Sequence, residues 1–212
     1  MNHIFDPALS PVAIKSLRPT QMTVGMREVH KKRQSWREHD QKDAHKASAF
    51  LGAHMVPVVI GPKKNRYVID HHHLVRALHE EGVESVLVSV VADLSVLEKD
   101  AFWVLLDNRG WIHPFDDKGR RCAYNEIPKS IDGLTNDPYR SLAGEVREFG
   151  GYAKSNAPFS EFQWADFLRR RIKPSLLRDN FEDALQKAMV LVKSREANYL
   201  PGWSGPAWHA GS

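Results

Sequence analysis

The tract from residue 56 to residue 91 constrains the fold most. It opens on Val56-Pro57-Val58-Val59-Ile60, breaks at Gly61-Pro62-Lys63-Lys64-Asn65 and resumes at Arg66-Tyr67-Val68-Ile69. Apolar, β-branched runs on either side of a Gly-Pro turn predict two strands joined tightly. Asp70 and three consecutive histidines (His71, His72, His73) follow. Residues 74–81 then carry the spacing of a short amphipathic helix, stopped by Gly82. Residues 85–91 are almost wholly apolar, the pattern of a strand buried on both faces. A strand, strand, helix, strand order predicts a sheet with helices packed against it.

Helical patterns flank this tract, over residues 26–37 and 41–51 before it and 100–107 after it. Residues 110–134 are punctuated by Pro114, Gly119, Pro128 and Gly133 and read as an ordered loop region. Asp137-Pro138 opens a further helix with proline at its first position. Two more helices are expected over 160–171 and 181–193. The N-terminal stretch reads as irregular up to the Pro19-Thr20-Gln21 turn. The end of the chain, rich in Gly and Pro and carrying Trp203 and Trp208, reads as mobile or folded against a partner.

At 212 residues the chain has room for one large domain, with or without a smaller appendage. Its 42% hydrophobic and 26% charged residues are those of an ordinary globular protein, which excludes low complexity. No apolar run reaches the roughly 18–20 residues of a membrane span, and no secretory signal pattern opens the chain. Cys122 is the single cysteine, so neither an intrachain disulfide nor a Cys-rich zinc module is possible, and the cytoplasm is the expected compartment. A net charge of +4 and a pI of about 9.2 permit a nucleotide, phosphate or nucleic-acid partner without demanding one.

Asp70 with the histidine trio is the strongest candidate site. With Asp70 as N-cap, the free amides of the first helical turn form an anion site, imidazoles donate to phosphate oxygens, and the carboxylate can hold Mg²⁺ or orient a base. The bland alternative is a capping aspartate beside surface histidines. Consecutive side chains diverge, so at most two of the three could ligate a transition metal, with His113 or Asp116 as a further ligand. Glu28 is a candidate general base, with Arg27, Lys31 or Lys32 to offset phosphate charge; the competing reading is an ordinary Glu28–Lys32 surface pair. Arg76 follows His72 by one helical turn and is expected to contact phosphate or pin a carboxylate. The loop His113-Pro114-Phe115-Asp116 with Gly119-Arg120 forms a second polar cluster, and Arg140 and Ser141 could reach the pocket. Glu161, Trp164 and Asp166 share one short helix, with Trp164 expected in the core. The run Arg169-Arg170-Arg171 with Lys173 reads as phosphate contacts for nucleic acid or as a solvated helix end.

The segment Tyr67 to Leu78, Y-V-I-D-H-H-H-L-V-R-A-L, resembles the D-G-H-H-R-x-x-A box of the ParB/sulfiredoxin superfamily. Five further stretches follow the order of the ParB-like nuclease family: P-T-Q-x-x-V-G-x-R-E-V at 19–29, V-P-V-V-I-G-P at 56–62, H-P-F-D-x-x-G-R at 113–120, N-D-P-Y-R-S-L-A-G at 136–144 and P-F-S-E-F-Q-W-A-D-F-L-R at 158–169. His71 stands where many relatives carry Gly. The G-E-R-R box and the helix-turn-helix of segregation proteins are missing, so chromosome segregation is not expected. The resemblance implies an α/β (α+β) fold, a small mixed sheet with surrounding helices and a helical C-terminal part. It implies an N-terminal arm over 1–14, the core over 15–150, the helical part over 151–198 and a flexible tail over 199–212. It further implies an enzyme that binds ATP, ADP or CTP with Mg²⁺ and transfers a phosphoryl group to water or to a small hydroxyl acceptor such as serine. In that reading Glu28, Asp70 and His72 are catalytic, Asp70 also holds the metal, and Arg27, His71, His73, Arg76, His113 and Arg140 bind phosphate or nucleotide. A Mg²⁺-dependent nuclease and a non-catalytic nucleotide- or DNA-binding module are the alternatives.

Overall fold

The structure is a computed structural model that describes residues 11–40 and 44–206. In chain order its main elements are β1 (Pro11–Ala13), β2 (Leu17–Pro19), β3 (Thr23–Val24), α1 (Met26–Asp40), α2 (Ala44–Ala53), β4 (Val56–Ile60), β5 (Arg66–Val68), α3 (His72–Glu80) and β6 (Ser85–Asp93). Then come α4 (Lys99–Asn108), β7 (Thr135–Asn136), α5 (Pro138–Glu148), α6 (Ser160–Arg169), α7 (Pro174–Asp179) and α8 (Phe181–Lys193).

The expected α/β fold is present. Five strands form a mixed sheet in the order β1-β6-β4-β5-β2, and β3 pairs in parallel with β7. The predicted strand–turn–strand is the antiparallel β4–β5 pair. Its turn needs glycine at position 61: a Cβ there would stand 2.6 Å from the Tyr67 ring and 2.7 Å from the Phe102 ring. The chain then runs through α3 and returns as β6, parallel to β4. One face of the sheet is closed by α1 and α3, whose Val29, Trp36, Leu74, Val75 and Leu78 join Val56, Val58, Val86 and Val88 in a common core. A polar clasp holds the two helices together, with Arg33 bonded to Glu80 and Glu81 at 2.8 and 2.5 Å and Arg37 to Glu81 at 2.7 Å. A smaller cluster around Val59, Tyr67, Phe102 and Trp103 brings α4 onto the other side.

Three local expectations are corrected. β6 is not buried on both faces: Val86 and Val88 are buried, whereas Val91 is 48% exposed. The strand therefore alternates like a half-covered one, because the α4 cluster reaches only its far end, at Ala92. Residues 11–13 are not part of an irregular arm but pair with β6 as β1; residues 1–10 lie outside the described residues. The tail expected over 199–212 is docked through its first part. Pro201 O accepts the Trp164 indole at 2.9 Å, Gly202 O accepts the Ala153 amide at 2.8 Å, and the Trp203 indole donates to Ser194 O at 3.1 Å. Trp208 lies outside the described residues.

The second core is helical, built on Trp164, Phe167, Leu168, Leu142, Leu185 and Val192. It begins at Tyr139, so α5 joins it with the residues after 151. As the sequence predicts, Asp137 caps α5, accepting from the Tyr139 and Arg140 amides at 2.9 and 3.2 Å, and Pro138 occupies the first turn. This orientation brings Arg140 to Glu28 of α1 at 3.1 Å. Among the described residues no helix is long and apolar enough to cross a membrane.

Candidate functional site

A cleft of about 780 Å³ opens between the sheet body and the helical body. It is lined by Gln21, by Glu28 and Lys32 of α1, by Asp70 to His73 at the mouth of α3, and by Arg140 and Arg147 of α5. Arg109 and the stretch Lys154 to Phe162 complete the wall. Most of the sequence-predicted residues meet here.

Asp70 is not the N-cap of α3. His71 takes that position in the left-handed region (φ 64°), and its side chain makes no cap bond. The extra residue folds Asp70 back, so its Oδ1 accepts the His71 amide at 2.6 Å. A left-handed backbone is one that glycine adopts without the cost His71 bears here. The amides of His72, His73 and Leu74 precede the first helical bond, Val75 N–H to His71 O at 2.9 Å, and His72 and His73 line the cleft.

The three histidines divide. His72 Nε2 accepts the Thr20 amide at 3.1 Å, and His73 Nε2 accepts the Gly25 amide at 2.9 Å. The two adjacent rings thus fasten both ends of the segment that leads from β2 into α1. Burial pushes both imidazoles down, His72 to about 4 and His73, with Arg140 nearby, to about 3. Both are neutral at pH 7, and each commits its Nε2 to a backbone amide. His71 is the ring left over: its Nδ1 is buried without a hydrogen-bond partner.

Arg140 is the electrostatic centre. Its side chain is 5% exposed, and Nη2 bonds Glu161 at 2.6 Å and Glu28 at 3.1 Å. Its Nε and Nη1 have no partner. Arg147 bonds the second oxygen of Glu161, and Lys32 stands 3.7 Å from Glu28. Burial raises the Glu28 carboxyl, but His73, Arg140, Lys32 and Arg147 outweigh it and hold the group at about 2. A carboxylate so acidic is a weak base, and it bonds Arg140 at 3.1 Å. Sequence reading missed Arg109, Arg147 and Lys154 and gave Glu161 no role. The spacing of Arg140 and Arg147, seven residues on one helix, was the available signal.

Three candidates lie elsewhere. The Arg27 guanidinium stacks on Phe181 of α8, 3.6 Å from the ring centre. Arg76 Nη1 donates to the carbonyls of Ile131, Asp132 and Leu134 at 3.2, 2.8 and 2.9 Å, and its Nε to Glu80, which pins the loop before β7. Arg76→Ala is therefore expected to lower unfolding free energy by about 2 kcal/mol in urea titration, and to leave ligand binding unchanged. His113 lines a different cavity. The basic run is also committed: Arg169 to Asp137 at 2.6 Å, Arg170 to Asp166 at 2.8 Å and Arg171 to Glu196 at 3.1 Å.

Among the described residues no three His, Cys, Asp or Glu side chains converge as a metal cage. Glu28 and Glu161 are taken by arginines. Asp70, exposed and with Oδ2 open, has the donor chemistry for an ion such as Mg²⁺ that keeps its waters and is shared with phosphates.

A family model described as "Putative ParB-like nuclease" matches residues 10–170. A protein of Agrobacterium tumefaciens with a known crystal structure is 57% identical, with a TM-score of 0.87 over 95% of this chain and 100% of that one. No curated protein matches.

Proposed function

The chain belongs to the ParB-like nuclease family, and from that premise we propose that its cleft binds the phosphates of a nucleotide and transfers or hydrolyses a phosphoryl group. One observation carries this reading. Five cationic side chains (Lys32, Arg109, Arg140, Arg147, Lys154) face three carboxylates (Glu28, Asp70, Glu161) across the mouth of α3. The surplus of positive charge lies where unpaired helix amides already favour an anion. The volume is that of a small-molecule site, and the committed basic run argues for a nucleotide over a long polyanion.

In this reading the phosphates rest against the first turn of α3 and the His71 ring. Asp70 would hold Mg²⁺ that enters with the nucleotide, and the ion would offset charge on the phosphoryl oxygens. Lys32, Arg140 and Arg147 complete that compensation. Phosphoryl transfer passes through a loose transition state that asks more of charge compensation than of proton removal. Water or a small hydroxyl attacks phosphorus, the bond to the leaving phosphate oxygen breaks, and the attacking oxygen gives its proton to solvent.

The test is phosphate release from ATP, ADP and CTP with and without Mg²⁺, alongside cleavage of DNA and RNA. Asp70→Asn, an exposed substitution, should cut nucleotide turnover about a hundredfold with the melting temperature unchanged. Cleavage of nucleic acid without nucleotide turnover would replace this reading with the nuclease that the family description names.

A further inference from the structure

The His113 cavity, about 470 Å³, shares Pro158, Phe159 and Phe162 with the phosphate cleft. Phe162 is the partition. One side of its ring stacks on His113, with centres 4.0 Å apart, and the Arg140 guanidinium lies 5.4 Å from its centre. Phe115 and Phe159 also pack on His113, at 4.8 and 5.0 Å, so the wall is aromatic. Tyr199 lines the same cavity yet is 70% exposed, an aromatic ring left uncovered at its rim. Burial and the neighbouring Arg169 hold His113 at about 3, so the wall carries no imidazolium charge at neutral pH. The charged lining residues are largely paired with one another, Arg169 with Asp137 at 2.6 Å and Asp166 at 3.2 Å, and Arg170 with Asp166 at 2.8 Å. Asp116 Oδ1 takes the amides of Lys118 and Arg120 at 2.9 and 2.8 Å, which leaves Oδ2 for a ligand, and Gln163 lines the same cavity with its amide donated to Pro158 O at 3.2 Å.

Flat aromatic walls beside hydrogen-bonding groups suit a planar heterocycle. We propose that this cavity holds the base of the nucleotide whose phosphates occupy the neighbouring cleft; the proposal rests on the phosphate reading above. The ligand would cross the shared rim at Pro158 and Phe159, with its base against Phe115 and Tyr199.

Calorimetric titration of the intact protein in Mg²⁺ buffer tests this with three probes: sodium tripolyphosphate, the tighter of ATP and CTP, and the matching nucleoside. The nucleotide should bind about tenfold more tightly than tripolyphosphate, the gain of one stacked base. Phe115→Ala and the exposed Tyr199→Ala should each erase that difference without changing tripolyphosphate affinity. Equal binding of nucleotide and tripolyphosphate to the unaltered protein would overturn the base pocket while leaving the phosphate cleft intact. A nucleotide preference that survives both substitutions would overturn it too. If tripolyphosphate fails to bind but the nucleoside binds and is lost in both variants, the phosphate reading falls and the base pocket stands.

Discussion

Replacing Arg140 with Ala is expected to cost about 3 kcal/mol of unfolding free energy, measured by urea titration at pH 7. Charge balance sets the size of the loss. Arg140 holds Glu28 and Glu161 from two separate helices, and removal leaves two carboxylates facing one another with only Lys32 and Arg147 to separate them. Breaking a buried ion pair by removing one partner strands the other, and the penalty runs to roughly 3–5 kcal/mol. The low end applies because the Glu28 and Glu161 side chains retain 23% and 21% exposure. Glu161→Gln in the Arg140→Ala background should recover part of the loss, since it removes one of the two opposed charges. A loss below about 0.5 kcal/mol, the size of an ordinary surface change, would show that the network is not the junction between the bodies.

Acid is expected to act through the histidine fasteners. His72 and His73 titrate near 6.5 when unfolded but at about 4 and about 3 when folded. The unfolded chain therefore binds more protons than the folded one once the pH drops below 6.5. Stability is full above that value, falls as the pH is lowered through the window, and stops falling through these two rings near pH 3 to 4. A tenfold difference in proton affinity between the folded and unfolded chain is worth about 1.4 kcal/mol, so the two rings together withdraw several kcal/mol, a large share of a typical domain's stability. Glu28, held at about 2 against its ordinary 4.5, adds a loss of the same sign at lower pH. Urea titrations at pH 7.5, 5.5 and 4.5 should show this slope. His73→Gln keeps an acceptor for the Gly25 amide that does not titrate, so its slope should be shallower than that of the unaltered protein. An unchanged slope would exclude His73 as a source.

The fold was legible where the signal is local. The β4–β5 turn follows from a glycine between β-branched runs, and the cap of α5 from Asp137 placed before Pro138. The site was legible as a place but not as a division of labour. An aspartate before a helix reads as its cap, yet His71 adopts a left-handed conformation and moves the helix start by one residue. Three adjacent histidines look alike in sequence. What separates them is the distant backbone that each meets: Thr20 is 52 residues from His72, and Gly25 is 48 from His73. Arg76 pins a carboxylate, Glu80, as one of its two readings had it, but its carbonyl partners were hidden because they lie 55 to 58 residues on. The charge partner of Arg140, Glu161, sits on another helix 21 residues away, and only the packing of α5 on α6 brings them together. β6 was over-read because apolar content predicts what a strand tolerates on both faces, not what covers it.

A structure of the protein with a bound nucleotide tests the central claim most directly. Its phosphate oxygens are expected within hydrogen-bond distance of the His72–Leu74 amides, beside His71 and facing Arg140. Phosphates bound away from the first turn of α3, with those amides facing only solvent, would contradict it.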